Sequence, residues 1–146
     1  MILADEAATH AFGAALAPLL RAGDVILLDG SLGAGKTTLV RGLLGGLGHD
    51  GEVPSPSFAI VQPYDDLDLP LWHADLYRIA NPSELDELGL DEVLREGVLA
   101  VEWPDHAGEG AWPPTALALS LAPLGGGARA LTATLGEGWE ERWPPR

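Results

Sequence analysis

The sequence predicts an α/β fold, and three observations carry that prediction. The aliphatic run 24–28 is typical of a buried strand, and it leads through a glycine-rich segment into a helical pattern. Two pairs of strand-like segments have short connections, which predicts antiparallel pairing. A further apolar run ends in Glu102, at the strand end where open α/β sheets bind their ligands.

The first predicted element is an amphipathic helix between residues 5 and 20. Its apolar side chains recur at helical spacing along one broad face, and Gly23 follows as a terminator. Pro18 predicts an early end or a kink, because proline lacks the amide that an interior helical position donates. The strand 24–28 comes next, and a second helix is predicted from Thr37 to the glycines around residue 46.

The middle of the chain is predicted to contain a hairpin. Residues 58–64 and 71–77 carry strand-forming side chains, and their short acidic connection permits only antiparallel strands. Residues 48–57, just before them, are rich in glycine and proline and predict a loop with fixed turns. After the hairpin, Asn81 is expected to cap a helix that has a break near Gly89.

The last third is predicted to contribute a strand over 97–101 and a second hairpin from residues 116–121 and 128–135. The tail 139–146 is rich in tryptophan and proline, and we expect it to be loosely held. The chain has neither an internal repeat nor a long linker. Its 146 residues are therefore expected to form a single domain.

Composition limits the class of protein. An apolar content of 47% is enough for a real core, and the absence of cysteine rules out disulfides and thiolate metal sites. The sequence shows no signal peptide and no membrane-spanning run, so we expect a cytoplasmic protein that does not bind membranes. The formal net charge of -14 disfavours direct binding of RNA or DNA. This acidity either serves solubility alone or matches a protein partner with a basic face.

A complete phosphate-binding loop of the pattern G-x-x-x-x-G-K-[ST] follows the first strand. Its glycines let backbone amides approach phosphate oxygens, since a Cβ would obstruct them. Lys36 is the only lysine in the chain, and it supplies positive charge for the outer phosphates. The Thr37 hydroxyl is suited to bind Mg²⁺, and the helix that opens there directs its positive end at the anion. The predicted nucleotide-binding residues are Gly30, Ser31, Leu32, Gly33, Ala34, Gly35, Lys36, Thr37 and Thr38.

Two carboxylates are candidates to hold the magnesium ion or to orient the attacking water. Glu102 ends an apolar strand, and Asp75 lies in a strand whose neighbours make an unpaired charge costly to bury. The alternative is that each is an exposed acid at a strand end. His73 and Tyr77 alternate with Asp75, which predicts one polar face beside the phosphates. His73 is interpreted as an orienting residue rather than a metal ligand, or else as a structural histidine.

Several classes of phosphate-loop protein are excluded by their chemistry. A guanine-specific GTPase needs an N-K-x-D element, which a chain with no second lysine cannot contain. A transporter ATPase needs a signature segment and more length, and a small-molecule kinase normally brings an arginine-rich lid. A minimal ATPase is therefore favoured. The alternatives are a small phosphotransferase on the same loop and an adaptor that binds ATP but barely cleaves it.

Five motifs occur in an order that resembles the bacterial TsaE family, once called YjeE. They are the loop 30–38, Ser55-Pro56-Ser57, the segment 73–78, Glu84-Leu85 before Gly89, and Glu102-Trp103-Pro104. The resemblance extends over about residues 5–135. The family is the small ATPase of the machinery that makes threonylcarbamoyladenosine at position 37 of tRNAs reading codons that begin with A.

The resemblance implies a P-loop NTPase-like three-layer sandwich, in which a mixed parallel and antiparallel sheet has helices on both faces. It also implies ATP on the phosphate loop, with Mg²⁺ held by Thr37 and Glu102. Asp75 would be the catalytic or metal-supporting acid, and Lys36 and Glu102 would be the other catalytic residues.

Two further roles follow from the resemblance alone. Ser57 would belong to a switch-like loop that senses the terminal phosphate, and Arg129 would contact the adenine. The family usually has threonine where Ser57 stands and often has aspartate where Ser31 stands. Ser57 keeps the hydroxyl, and position 31 is used mainly through its backbone.

The resemblance finally implies partners. The family works with the TsaD and TsaB proteins, of which TsaD transfers the threonylcarbamoyl group, and TsaE resets their complex by hydrolysing ATP. Contact with tRNA would be indirect, through that complex, which agrees with the acidic composition.

Overall fold

The residues that the structure describes form one seven-stranded sheet. The computed structural model describes residues 1–31, 33–53, 61–79, 89–108 and 110–145. The strands are β1 (Ile2–Leu3), β2 (Val25–Asp29), β3 (Val61–Tyr64), β4 (Leu71–Asp75), β5 (Val98–Glu102), β6 (Leu117–Gly125) and β7 (Ala128–Thr134). The α-helices within these ranges are α1 (Glu6–Leu16), α2 (Lys36–Gly46) and α3 (Leu90–Glu96).

The strand order is β1-β7-β6-β2-β5-β4-β3, with parallel pairing at the centre and antiparallel pairing toward both edges. Strand β2 runs parallel to β5 on one side and to β6 on the other, and β4 runs parallel to β5. The pairs β3/β4, β6/β7 and β1/β7 are antiparallel. Both predicted hairpins are therefore confirmed, and so is the mixed sheet.

Some predicted elements fall partly outside the described residues. Residues 58–60 of the first predicted hairpin and residues 81–88 of the predicted helix belong to this group. The helix α3 begins directly after Gly89, which has a φ of 65°. The first helix gives way to a 3-10 turn at Ala17–Leu19, in agreement with the early end that Pro18 predicts.

Helices cover both faces of the sheet. Because side chains alternate along a strand, Ile26 packs in a core cluster with α1 and α2, whereas its neighbour Leu27 packs with the cluster that contains Val93 of α3. The predicted three-layer arrangement is thus confirmed. In the described ranges no helix combines the length and the apolar character that crossing a bilayer requires.

Helices α1 and α2 approach each other closely because glycines lie at their contact. A Cβ on Gly42 would stand 1.9 Å from the carbonyl oxygen of His10, and one on Gly13 would stand 2.2 Å from that of Leu39. The sequence pattern had indicated only the apolar faces of these helices. The close contact packs α1 against the helix that leaves the phosphate loop.

The carboxyl-terminal tail differs from the prediction. Trp139 is 0% exposed, and the ring of Trp143 lies 5.9 Å from that of Phe12. Arg142 donates to both carboxylate oxygens of Asp24, at 2.7 and 3.1 Å. The expectation of a loosely held tail is therefore wrong for residues 139–143, because Trp139 is buried and the half-buried Arg142 and Trp143 side chains contact the body of the protein.

We expect Arg142→Ala to lower the free energy of unfolding by about 1–2 kcal/mol, since it removes charge-assisted hydrogen bonds from a largely buried site. The guanidinium also donates to the carbonyl of Leu19 at 2.9 Å. Chemical denaturation provides the measurement, and Arg21→Ala, which removes a nearby exposed side chain, serves as the control. Equal stabilities of the two variants would contradict the prediction.

Candidate nucleotide site

The phosphate loop leaves the carboxyl end of β2 and enters α2. Gly30, Gly33 and Gly35 have φ values of 150°, 78° and 104°, a backbone conformation that other residues rarely adopt. Helix α2 begins at Lys36, and the amides of its first turn lack helical partners and are therefore available to an anion. Leu32 lies outside the described residues. The glycines thus take up the conformations that a phosphate cradle requires.

An open pocket of about 320 Å³ lies over this loop. It brings together residues from five separate segments of the chain. The described lining residues are Glu6, Thr9, Gly33, Ala34, Gly35, Lys36, Thr37, Thr38, Asp75, Glu102, Trp103 and Arg129. The pocket therefore contains most of the predicted site residues that the structure describes. Ser31 also lies in the loop, and its carbonyl accepts the amide of Ala34 at 3.0 Å.

The strand order explains why both predicted carboxylates reach the loop. Strand β5 lies directly beside β2 and places Glu102 opposite Leu28, and β4 lies next and places Asp75 opposite Glu102. Parallel strands end at the same edge of a sheet, which is also where the loop leaves β2. Asp75 and Glu102 therefore lie side by side at one wall of the pocket.

Lys36 is held inside the loop and is only 5% exposed. Its ammonium donates to the carbonyl of Gly30 at 2.6 Å and stands 3.8 Å from the ring centroid of Trp103. Burial lowers the pKa of Lys36, and nearby carboxylates, led by Glu102, act in the opposite direction. The positive charge therefore has little contact with solvent.

Glu102 is buried, and its Oε2 accepts a hydrogen bond of 2.5 Å from Nε2 of His73. His73 is 0% exposed, and its Nδ1 has no hydrogen-bond partner among the described residues. The buried His73 imidazole therefore contacts Glu102, the candidate metal ligand, from the interior of the protein. This is the placement that an orienting residue requires.

Tyr77 does not share the strand face of His73 and Asp75. Strand β4 ends at Asp75, whose Oδ1 accepts the amide of Tyr77 at 2.9 Å, and the chain turns there. Tyr77 is 49% exposed and its ring lies 5.1 Å from that of Trp103. The prediction of a three-residue polar face is therefore wrong for Tyr77, because the strand ends two residues before it.

Arg129 reaches the loop from β7. Its Nε donates to the carbonyl of Ala34 at 2.6 Å, and its Nη2 donates to that of Gly33 at 3.2 Å. The guanidinium thus braces the backbone of the loop at the pocket wall. Its contact with adenine stays a prediction. Ser57 lies outside the described residues.

Sequence reasoning missed two residues at the pocket. The Oε1 of Glu6 lies 3.5 Å from the hydroxyl of Thr38, at the edge of hydrogen-bond distance. Trp103 carries the ring that covers the loop lysine, although the sequence identified it only as part of a motif. Neither contact has a local signal, since each joins segments that are distant along the chain.

Two oxygen donors in the pocket would suit a magnesium ion. Among the described residues, no group of three or more His, Cys, Asp or Glu side chains forms a metal site by itself. The Thr37 hydroxyl and the Glu102 carboxylate are oxygen donors, which Mg²⁺ prefers, and the ion usually takes its remaining ligands from phosphates and water.

The fold and the pocket together define an α/β protein of the P-loop NTPase-like class. The family model described as "Threonylcarbamoyl adenosine biosynthesis protein TsaE" matches residues 3–131. The chain belongs to the TsaE family, and the resemblance seen in its motifs is confirmed.

Individual relatives agree with this assignment. The chain is 46% identical over 109 residues to the tRNA threonylcarbamoyladenosine biosynthesis protein TsaE of Synechocystis sp., a match that covers 71% of this chain and 69% of the relative. It is 42% identical over 127 residues to the Bacillus subtilis protein of the same name, with coverages of 86% and 78%. The crystal structure of YdiB from Bacillus subtilis matches with a TM-score of 0.80 at 35% identity, over 97% of this chain and 88% of that one.

Proposed function

We propose that this protein is a Mg²⁺-dependent ATPase of the machinery that makes N6-threonylcarbamoyladenosine at position 37 of tRNA, where it resets the TsaD-TsaB complex. The observation that carries the proposal is that the glycine loop, Lys36, Thr37 and the buried Glu102 line the same pocket. Two relatives that are named as biosynthesis proteins of this modification support the setting.

Each group in the pocket has a role in this proposal. The loop amides and Lys36 bind the phosphates, and Thr37 and Glu102 hold the metal. A bound Mg²⁺ supplies charge neutralisation at the phosphate oxygens. Asp75 lies beside Glu102 and is the candidate to orient the attacking water.

Rapid hydrolysis of ATP requires more positive charge than the pocket supplies. Within the described ranges Arg129 is the one arginine that lines it, and two of its nitrogens are engaged with loop carbonyls. An arginine that contacts the transferred phosphoryl group accelerates such reactions by about 10³ to 10⁵. We therefore propose slow turnover by the isolated protein and activation by TsaD and TsaB.

The net charge supports docking on proteins rather than on RNA. At -14 the chain repels a phosphate backbone, and it is complementary to a basic surface of a complex that itself grips tRNA. Contact with tRNA is therefore proposed to be indirect.

The test is to follow the terminal phosphate of labelled ATP with the protein alone and with TsaD, TsaB and tRNA present. Release of free phosphate that rises on addition of the partners supports the proposal. Transfer of the label to another molecule would identify a phosphotransferase instead. Binding of ATP without cleavage under either condition would identify an adaptor.

Mg²⁺ is expected to increase the affinity of the protein for ATP. We expect this increase to be about tenfold or more smaller in Glu102→Gln, because the amide keeps the size of the side chain but loses the charge. Calorimetric titration with Mg²⁺ and with a chelator measures this gain. Glu96→Gln, at an exposed position of α3, is the matched control. If Mg²⁺ tightened binding to the Glu102 variant as it does in the wild type, Glu102 would not be a metal ligand.

A further inference from the structure

The charge of Lys36 has an aromatic partner. Its Nζ lies 3.8 Å from the centroid of the Trp103 ring, well inside the range of about 6 Å for a cation–π contact. The ion pairs between described residues do not include Lys36, although Asp75 and Glu102 line the same pocket. With the lysine only 5% exposed, the indole face and the carbonyl of Gly30 are the contacts that hold the ammonium.

The conformation of Trp103 directs its ring toward the loop. Its φ of 59° makes it the one non-glycine residue with positive φ in the described ranges, and this conformation is costly for a bulky side chain. The ring packs 5.1 Å from that of Tyr77 and 5.6 Å from that of His106. The strained backbone and the neighbouring rings together keep the indole over the lysine.

The segment that follows Trp103 is anchored by two further hydrogen bonds. The Nδ1 of His106 donates to the carbonyl of Leu76 at 2.9 Å, and the indole nitrogen of Trp112 donates to the carbonyl of Pro104 at 3.0 Å. Pro104 and His106 both belong to a 3-10 turn at Pro104–Ala107, so these contacts hold that turn in place. The position of the ring is therefore a property of an ordered segment rather than of one free side chain.

We propose that Trp103 is a positioning residue whose indole face holds the Lys36 ammonium and competes with the outer phosphates for it. Lysine carries three N–H donors, and Gly30 takes one of them. A phosphate oxygen and the indole face therefore compete for the rest. Binding of the outer phosphates exchanges the ring contact for a stronger, charge-assisted one.

Whether the exchange occurs depends on how many phosphate groups the nucleotide carries. The lysine of a phosphate loop reaches the β- and γ-phosphates. ATP therefore breaks the ring contact, whereas AMP, which lacks the outer phosphates, leaves it in place. This exchange rests on the proposed nucleotide binding, but the ring contact itself does not.

The single lysine makes the contact directly measurable. Lysine labelled with ¹³C at the ε position gives one methylene signal, which reports on Lys36 alone. Protons that lie over an indole face are shifted upfield by its ring current. We expect an upfield ε signal in the nucleotide-free protein, a smaller upfield shift in Trp103→Phe and none in Trp103→Leu. Trp143→Phe, which changes an indole in the distant tail, is the control and should match the wild type.

Addition of nucleotide tests the exchange. We expect ATP with Mg²⁺ to abolish the upfield shift in the wild type and AMP to leave it unchanged. Trp103→Leu should bind ATP about threefold to thirtyfold more tightly, since one cation–π contact no longer opposes binding. Weaker ATP binding by Trp103→Leu would overturn the competition.

The possible failures are distinguishable. Two results would overturn the ring contact. One is a wild-type ε signal at the chemical shift of the unfolded protein, and the other is an ε signal that stays upfield in Trp103→Leu. A wild-type shift that persists with ATP bound would overturn the exchange. If calorimetry detects no ATP binding at all, the proposed function fails together with the exchange. Amide spectra verify that each variant is folded, and Trp103→Phe carries the test if Trp103→Leu does not fold.

Discussion

Lys36→Ala is expected to abolish ATP turnover and to leave the fold intact. The substitution removes the only lysine in the chain from a pocket where it supplies positive charge to the outer phosphates. Loss of one such preorganised group costs at least about a hundredfold in rate. Stability should be little affected, because burial already disfavours the charged side chain, as its lowered pKa indicates.

Phosphate release measures the loss of turnover, and thermal unfolding measures the integrity of the fold. Lys36→Met is a useful companion variant, since it keeps much of the length of the side chain and removes only the charge. Arg95→Ala, at an exposed position of α3, is the control for loss of a positive charge elsewhere. Hydrolysis that continues unchanged in Lys36→Ala and Lys36→Met would remove this loop from the proposed mechanism.

Gly42→Ala is expected to lower the free energy of unfolding by about 3 kcal/mol or more. The added Cβ would stand 1.9 Å from the carbonyl oxygen of His10 and 2.8 Å from its carbonyl carbon. Both are backbone atoms of a helix, so no side-chain rotation relieves the clash, and α1 and α2 must move apart. Because α2 begins at the phosphate loop, the displacement should also weaken nucleotide binding.

Gly45→Ala provides the matched control in the same helix. A Cβ at Gly45 would meet nothing within 4 Å, so this substitution should stabilise the protein by about 0.5–1 kcal/mol through the greater helix propensity of alanine. Denaturant unfolding of both variants gives the comparison. Stabilisation of the protein by both substitutions would show that helix propensity, and not the crossing of α1 and α2, decides the outcome at Gly42.

Local patterns predicted much of the fold and part of the site. The phosphate loop was recognisable because its glycines, lysine and threonine are adjacent in the chain and each has a separate physical task. The two hairpins followed from short connections, and Glu102 followed from its position at the end of an apolar strand. The strand containing Asp75 was predicted two residues too long, since alternation alone does not show where a turn begins.

Contacts between distant segments were beyond the reach of such patterns. The cover of Trp103 over Lys36 and the hydrogen bonds from Arg129 to the loop carbonyls depend on which strands are neighbours in the sheet. The attachment of the carboxyl-terminal tail was unpredictable for a related reason. An aromatic, proline-rich segment has the same composition whether it is exposed or buried. Trp139 is buried because it packs into a core formed by distant parts of the chain.

By itself the sequence determined the phosphate loop, the kinds of secondary structure around it and the charged groups suited to bind a nucleotide and its metal. These properties depend on residues within one turn or one strand, where spacing and backbone preference act directly. The tertiary structure alone decided which distant groups meet: His73 with Glu102, the indole with the loop lysine, and the two helices at Gly42. Strand order and helix crossing set those distances, and both are consequences of packing the whole chain.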